Sequence, residues 1–176
     1  MVHTRKSKSN SIIVCDTRRA LLQHVSPGHQ LTIALSGGVD SVVLLHILAV
    51  LSKEMHFTLA AVHVNHGISD NAGYWSKFCC DICHSYRIPV HVAYVQVKKG
   101  PGISLEASAR EQRYRIFDRI QADYVLLAQH LDDQAETMLL QLFRGAGLRG
   151  LSAMPTVRNQ QSHHSPKILR PLLEVS

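Results

Sequence analysis

The chain predicts an open, mostly parallel α/β sheet with helices on both faces. Three observations lead there. Apolar runs at residues 31–35, 56–65, 89–97 and 123–128 alternate with longer stretches of helical period. Strand–helix alternation with a right-handed crossover each time stacks parallel strands side by side and puts the helices on the two faces. With 176 residues, 45% of them hydrophobic, the chain is long enough for one domain with a buried core.

The elements follow in order. Residues 1–11 are polar and basic, with Arg5, Lys6 and Lys8, and read as a disordered arm ahead of a domain at 12–176. Asp16 is placed to cap a short helix carrying Ala20, Leu21 and Leu22, which stops before Pro27-Gly28. Leu31, Ile33 and Leu35 make the first strand, and Gly37-Gly38 turns the chain into an apolar helix from Val39 towards Lys53. Phe57, Leu59, Ala61 and Val62 form a near-continuous run, which suits a parallel strand covered on both faces. Asp70 or Asn71 caps the helix that follows to Tyr86, with Trp75, Phe78 and Ile82 facing inward. A third strand at 89–97 leads into the basic loop Lys98-Lys99-Gly100-Pro101-Gly102. Ser104 caps the next helix, with Glu106 in its first turn, where negative charge is favourable. The fourth strand, 123–128, precedes an acidic segment and a helix whose apolar face carries Met138, Leu139, Leu142 and Phe143. Residues 157–166 read as a loop, and 167–173 as a short closing strand.

Composition bounds the function classes. Nineteen Lys+Arg against thirteen Asp+Glu give a net charge of +6, which suits ordinary solubility or a polyanion partner. The basic start holds only Ile12-Ile13-Val14 as an apolar run, far short of a secretory signal, and no stretch is long and apolar enough to span a bilayer. A cytoplasmic protein with reduced thiols and no membrane partner is expected. Cysteines stand at 15, 79, 80 and 83; Cys80-x-x-Cys83 has no matching second pair and lies in a helical period set by Tyr74, Phe78, Ile82 and Tyr86. Buried helix cysteines are the favoured reading there.

Two stretches carry chemistry. In Ser36-Gly37-Gly38-Val39-Asp40-Ser41, a strand, a glycine turn and a helix start place backbone N–H groups around an anion. Ser36 and Ser41 add hydroxyl groups. Asp40 repels phosphate unless a cation lies between them, so the loop reads as a phosphate cradle that also holds Mg²⁺. A glycine turn with a helix cap is the alternative reading of the bare SGG. The second stretch is Gln129-His130-Leu131-Asp132-Asp133-Gln134-Ala135-Glu136-Thr137 at the end of the fourth strand. Asp133 and Glu136 are three apart, and Asp132 and Glu136 four apart, so these acids share a helix face and repel unless a cation or proton joins them. Helix-start acids favoured by the dipole are the alternative. His63 and His66, at the end of the second strand, read as polar ligand contacts rather than a metal site.

The SGGVDS string resembles the PP-loop of the N-type ATP pyrophosphatases, and it lacks the lysine of the GxxxxGK[ST] loop. The resemblance implies strand order 3-2-1-4-5, an adenine-nucleotide α-hydrolase-like fold, and cleavage of ATP between its α and β phosphates. Further strings resemble the tRNA-lysidine branch in order: HVNHG at 63–67, EAxARxxRY at 106–114, QHxDDQxET at 129–137, an RGxGxxGLxxM segment at 144–154 and RPLL at 170–173. The branch's usual arginine after HVNHG and a hydrophobic residue is Ser69 here. The resemblance implies a ligase that joins lysine to C2 of the wobble cytidine of tRNA(Ile) through an adenylated tRNA. It implies ATP contacts from Ser36, Gly37, Gly38, Val39, Asp40, Ser41, His63 and Asn65. It further implies catalytic roles for Asp40, Arg110, His130 and Asp133, and Mg²⁺ held among Asp40, Asp132, Asp133 and Glu136. Arg113 and Arg170 are further phosphate candidates, and Lys98, Lys99, Arg144 and Arg149 are candidate tRNA contacts. Partners are then tRNA(Ile), free lysine and ATP, with a homodimer left open. The branch's downstream helical and tRNA-binding domains are not in the 176 residues. A tRNA thiolase with the same loop, and a non-enzymatic nucleotide-binding module, are the alternatives.

Overall fold

The computed structural model describes residues 3–97, 104–143, 145, 154–160 and 165–175. The first helix, α1 (His3–Leu22), starts well before the short helix expected from Asp16, and its backbone takes in residues expected to be an arm. No glycine or proline interrupts 3–22, and a helix once nucleated gains a hydrogen bond for each residue added. Asp16 is therefore mid-helix and pairs with Arg19 at 2.9 Å instead of capping.

The sheet has six strands in the order β3-β2-β1-β4-β6-β5: β1 (Gln30–Ala34), β2 (Thr58–Asn65), β3 (Val90–Tyr94), β4 (Tyr124–Leu126), β5 (Val157–Arg158) and β6 (Lys167–Leu169). Five of them are parallel in the expected order, with β6 in the fifth place. Ile33 lies between Ala61 and Leu126 in register, and Val125 pairs with Ile168. The sixth strand is a correction to the expected loop at 157–166. Val157 and Arg158 pair antiparallel with Leu169 and Ile168.

Alternation along the strands sorts the core into two layers. Leu31, Ile33, Leu35, Leu126 and Leu169 face one side with Leu44, Leu45, Leu48 and Leu51 of α2 (Val39–Met55) and Leu21 of α1. Val62, Val125 and Ile168 face the other side with Phe117 of α4 (Leu105–Phe117). Ser104 caps α4 as expected, accepting from the Ala107 N–H at 3.1 Å. Of the remaining helices, α3 (Ala72–Ser85) lies over β2 and β3. Its buried positions are Ser76, Cys79 and Cys83, so Trp75 is 43% exposed rather than in the core. Small residues let α3 approach the sheet closely, and the indole is displaced to the helix edge beside Gly37. Helix α5 (Leu131–Phe143) buries none of its described side chains, and Met138, Leu139, Leu142 and Phe143 are exposed. Among the described residues, no helix is long and apolar enough to cross a membrane.

Candidate functional site

The chain runs β1 to β2 to β3 on one side of β1, then returns to β4 and β6 on the other. Loops after β1 and β4 therefore diverge, and a cleft opens above their carboxyl ends. It measures about 330 Å³ and is floored by Ala34, Val62, Val64, Phe117 and Leu127.

One wall is the β1–α2 turn. Gly37 has φ +89°, a conformation that suits glycine, and a β-carbon there would meet Trp75 Cε3 at 3.1 Å and Cys79 Sγ at 3.3 Å. Gly38 occupies the N-cap position of α2 with no side-chain cap, so the helix-start N–H groups stay available to an anion. The two serines brace the turn: Ser36 Oγ accepts from the Gly38 N–H at 3.2 Å and donates to Ser41 Oγ at 3.0 Å, and Ser41 Oγ donates to the Gly38 carbonyl at 2.8 Å. Ser41 is buried, so its hydroxyl serves the loop's shape.

Asp40 extends from this turn towards His130, which starts the β4–α5 segment. His130 Nδ1 accepts from the Asp132 N–H at 3.3 Å, which leaves the proton of the neutral ring on Nε2. Nε2 lies 3.9 Å from Asp40 Oδ2 and 3.7 Å from Asp133 Oδ2. Asp133 is fixed in turn by the His130 N–H at 2.8 Å. Two acids far apart in sequence thus share one imidazole. Asp132 and Glu136 are exposed and do not line the cleft, so the four-carboxylate set does not converge. Among the described residues, no three His, Cys, Asp or Glu side chains cluster closely enough to hold a metal alone. Two hard carboxylate oxygens beside a phosphate cradle nevertheless fit Mg²⁺, which takes one or two carboxylates and completes its shell with phosphate and water.

The opposite wall is α4. Arg110, Arg113, Tyr114 and Phe117 are spaced three, four and seven apart, and so share one face. Phe117 is fully buried and anchors that face, with the Tyr114 ring edge-on at 5.6 Å. Arg110 lies over the Tyr114 ring at 5.2 Å, with Nη2 3.4 Å from the hydroxyl. Arg113 lies near His66. Burial, Arg113 and His63 hold the His66 imidazole below its ordinary pKa, and its buried Nδ1 has no hydrogen-bond partner among the described residues. His63 lines the cleft and points Nδ1 at the Leu35 carbonyl, 2.8 Å away; a carbonyl only accepts, so Nδ1 carries the proton and Nε2 is an acceptor.

Of the expected nucleotide contacts, Ser36, Asp40, Ser41 and His63 line the cleft, and Gly37, Gly38 and Val39 form the turn beside it. Asn65 does not line it. Its amide donates to Ser76 Oγ and the Ala72 carbonyl at 2.8 and 3.1 Å and accepts from the Gly67 N–H at 2.8 Å, which closes the β2–α3 turn. Arg170, expected as a phosphate contact, is 2% exposed and donates to Gln129 Oε1 and the Pro155 carbonyl. Burial lowers its pKa, partly offset by Tyr114. Lys98, Lys99, Arg144 and Arg149 lie outside the described residues. Sequence reasoning did not single out Gln129, Tyr114 or Gln134. Gln134 brackets Met154, donating to its carbonyl at 3.0 Å and accepting from its N–H at 2.7 Å. Tyr114 closes the EAxARxxRY string at 106–114, and its place on the Arg110 face follows from the helical period.

A PP-loop domain family matches residues 13–176. The tRNA(Ile)-lysidine synthase of Nitrosomonas europaea is 56% identical over 155 residues, covering 88% of this chain and 34% of that protein. That of Azoarcus sp. is 44% identical over 151 residues, covering 86% and 34%. The chain thus spans about a third of the length of these curated relatives. Among solved structures, the U34-tRNA thiolase NcsA from Methanococcus maripaludis with its 4Fe–4S cluster superposes with a TM-score of 0.79 over 94% of this chain and 60% of that one. At 18% identity that likeness speaks for the fold alone.

Proposed function

The chain belongs to the PP-loop domain family, and from that premise we propose that it catalyses ATP-dependent joining of lysine to C2 of the wobble cytidine of a tRNA(Ile) with a CAU anticodon. The observation that carries this reading is the meeting of Asp40, His130 and Asp133 beside the glycine turn, with Arg110 across the cleft. The curated relatives named above as tRNA(Ile)-lysidine synthases support the choice of substrate.

The reaction has two steps. The cytidine C2 oxygen attacks the α-phosphate of ATP and pyrophosphate leaves. The lysine ε-amine then attacks C2, AMP leaves, and the amine loses a proton. The α2 N–H groups receive the pyrophosphate end, where charge accumulates as the bond breaks. Arg110 faces the crowded α-phosphate with a planar fork of donors. Asp40 and Asp133 would hold Mg²⁺, which when bound offsets negative charge on the leaving pyrophosphate. His130, whose Nε2–H points between the two carboxylates, is placed to orient Asp40 and Asp133, and the proton released by the amine passes to a carboxylate oxygen or to water. His63 Nε2 offers an acceptor to a donor on the bound nucleotide. The thiolase alternative is weakened by the cysteines: burial pushes the Cys79 thiol to about 12 and the Cys83 thiol to about 11, far from a thiolate at neutral pH.

The test is ATP–pyrophosphate exchange with Mg²⁺, run with unmodified tRNA(Ile) and with tRNA(Met), followed by incorporation of labelled lysine. Exchange that needs tRNA(Ile) and lysine transfer to the same tRNA are expected. Exchange that is indifferent to tRNA would overturn the reading.

A further inference from the structure

Tyr114 carries a second arginine that plays no part in the steps above. Arg158, on the edge strand β5, places its guanidinium 5.4 Å from the Tyr114 ring centre, while Arg110 lies 5.2 Å from the same ring. The backbone around Arg158 is firmly built. Arg158 pairs with Ile168 in the antiparallel ladder. The Thr156 carbonyl accepts from the Arg170 N–H at 2.9 Å, the Pro155 carbonyl accepts from Arg170 Nη1 at 2.9 Å, and Gln134 clasps the Met154 backbone from α5.

This construction assembles like charges. Arg110 and Arg158 both bear on the buried Arg170. Among the described residues, none of the three has a carboxylate within 4.0 Å, whereas Arg18, Arg19 and Arg115 each do. Gathering three guanidinium groups around one tyrosine costs free energy that an anion would offset. Arg110 and Tyr114 line the cleft, but Arg158 is exposed and lies outside its lining. The cationic wall therefore continues from the cleft to the surface. A nucleoside triphosphate with its phosphates on the glycine turn and Arg110 has no charge left to place at Arg158. A polynucleotide does, because its backbone has to leave the cleft whichever nucleotide enters.

We propose that Arg158, held on the Tyr114 ring beside Arg110, forms a subsite for a backbone phosphate of the RNA substrate at the mouth of the cleft. The proposal rests on the functional reading above and extends it to a residue outside the cleft. An arginine stacked on an aromatic ring keeps its donor edge free for bidentate contact with phosphate oxygens, and such contacts set the register of the bound strand.

The experiment titrates unmodified tRNA(Ile) into the wild-type chain, Arg158→Ala and Arg158→Lys at several KCl concentrations, with Mg·ATP titrations in parallel. Arg158→Ala is expected to weaken tRNA binding about fivefold at low salt, the scale of one exposed ion pair. It should also reduce the slope of log affinity against log salt by about 0.7, the share of one single-strand phosphate. Arg158→Lys keeps the charge and should keep the slope. ATP affinity should stay within about twofold of wild type throughout, because Arg158 lies outside the cleft lining. Arg158 is exposed, so equal melting temperatures are expected and serve as the control for folding. Wild-type tRNA affinity and slope in Arg158→Ala would overturn the proposal. So would an equal fall in ATP affinity, which would assign the arginine to the nucleotide. A wild-type chain that fails tRNA-dependent exchange, yet keeps an Arg158-dependent salt slope, would remove the lysidine reading and leave the RNA subsite standing.

Discussion

Asn65→Ala separates a contact with the nucleotide from a brace in the fold. The resemblance to known motifs assigns Asn65 to ATP, whereas its side chain spends three hydrogen bonds closing the turn between β2 and α3. Asn65 is 7% exposed. Three largely buried bonds at about 1 kcal/mol each put the loss near 3 kcal/mol. Ser76 keeps its own bond to the Ala72 carbonyl at 3.0 Å, and Gly67 is exposed enough for water to reach its N–H, which holds the cost at that level. For a domain of this size the melting temperature should fall by about 6–12 °C. Asn65→Asp should not rescue it, because a carboxylate keeps the acceptor for Gly67 but has no hydrogen for the Ala72 carbonyl. The assays are urea unfolding monitored by circular dichroism, and ATP titration by calorimetry well below the melting temperature. ATP affinity should stay within about threefold of wild type, since a side chain outside the cleft loses no contact with nucleotide. A variant as stable as wild type with ATP affinity reduced tenfold or more would refute the reasoning and return Asn65 to the nucleotide.

Asp40→Ala should leave stability within about 0.5 kcal/mol, because the carboxylate is exposed. It should cut Mg²⁺-dependent pyrophosphate exchange roughly 100-fold, the scale for losing one electrostatic group at a reacting phosphate; wild-type exchange at ordinary Mg²⁺ would refute its metal role. The His66 pKa is lowered in the folded state, so the unfolded chain binds the proton first as pH falls. Its stabilising contribution is complete above 6.5, the ordinary value, and is lost as pH drops through the lower folded value. Denaturant titrations at pH 7.5 and 5.5 should therefore show a smaller stability loss for His66→Gln than for wild type. With alkylating reagent at neutral pH, mass spectrometry should find the exposed Cys15 modified first. Cys79 and Cys83, buried and with raised pKa values, should react only on unfolding.

The sheet was legible because parallel strands covered on both faces read as short apolar runs, and glycine marked the first turn. Five strands and their order followed from those runs and from the family motif. The two-residue β5 was not legible: Val157-Arg158 has no apolar run of its own and exists only because β6 offers an edge. The helix over residues 3–11 was missed because polar composition was read as disorder, while the absence of any breaker lets the helix extend. Trp75 was placed on the inward face with Phe78 and Ile82, whereas the buried stripe of α3 runs through Ser76, Cys79 and Cys83 and leaves the indole outside.

At the site, sequence by itself determined the groups bound to one local element. The glycine turn with Asp40, the face of α4 bearing Arg110 and Arg113, and the acids after β4 all follow from spacings of a few residues, which helix and turn geometry fix. Tertiary structure alone decided which of these meet. Asp40 and Asp133 share His130, whereas Asp132 and Glu136 point elsewhere. Asn65 and Arg170 are consumed by the fold, and Arg158 reaches Tyr114 from a strand more than forty residues away. The physical reason is that side-chain period specifies a direction from one helix or strand. Which partner waits in that direction depends on how the crossovers stack the strands.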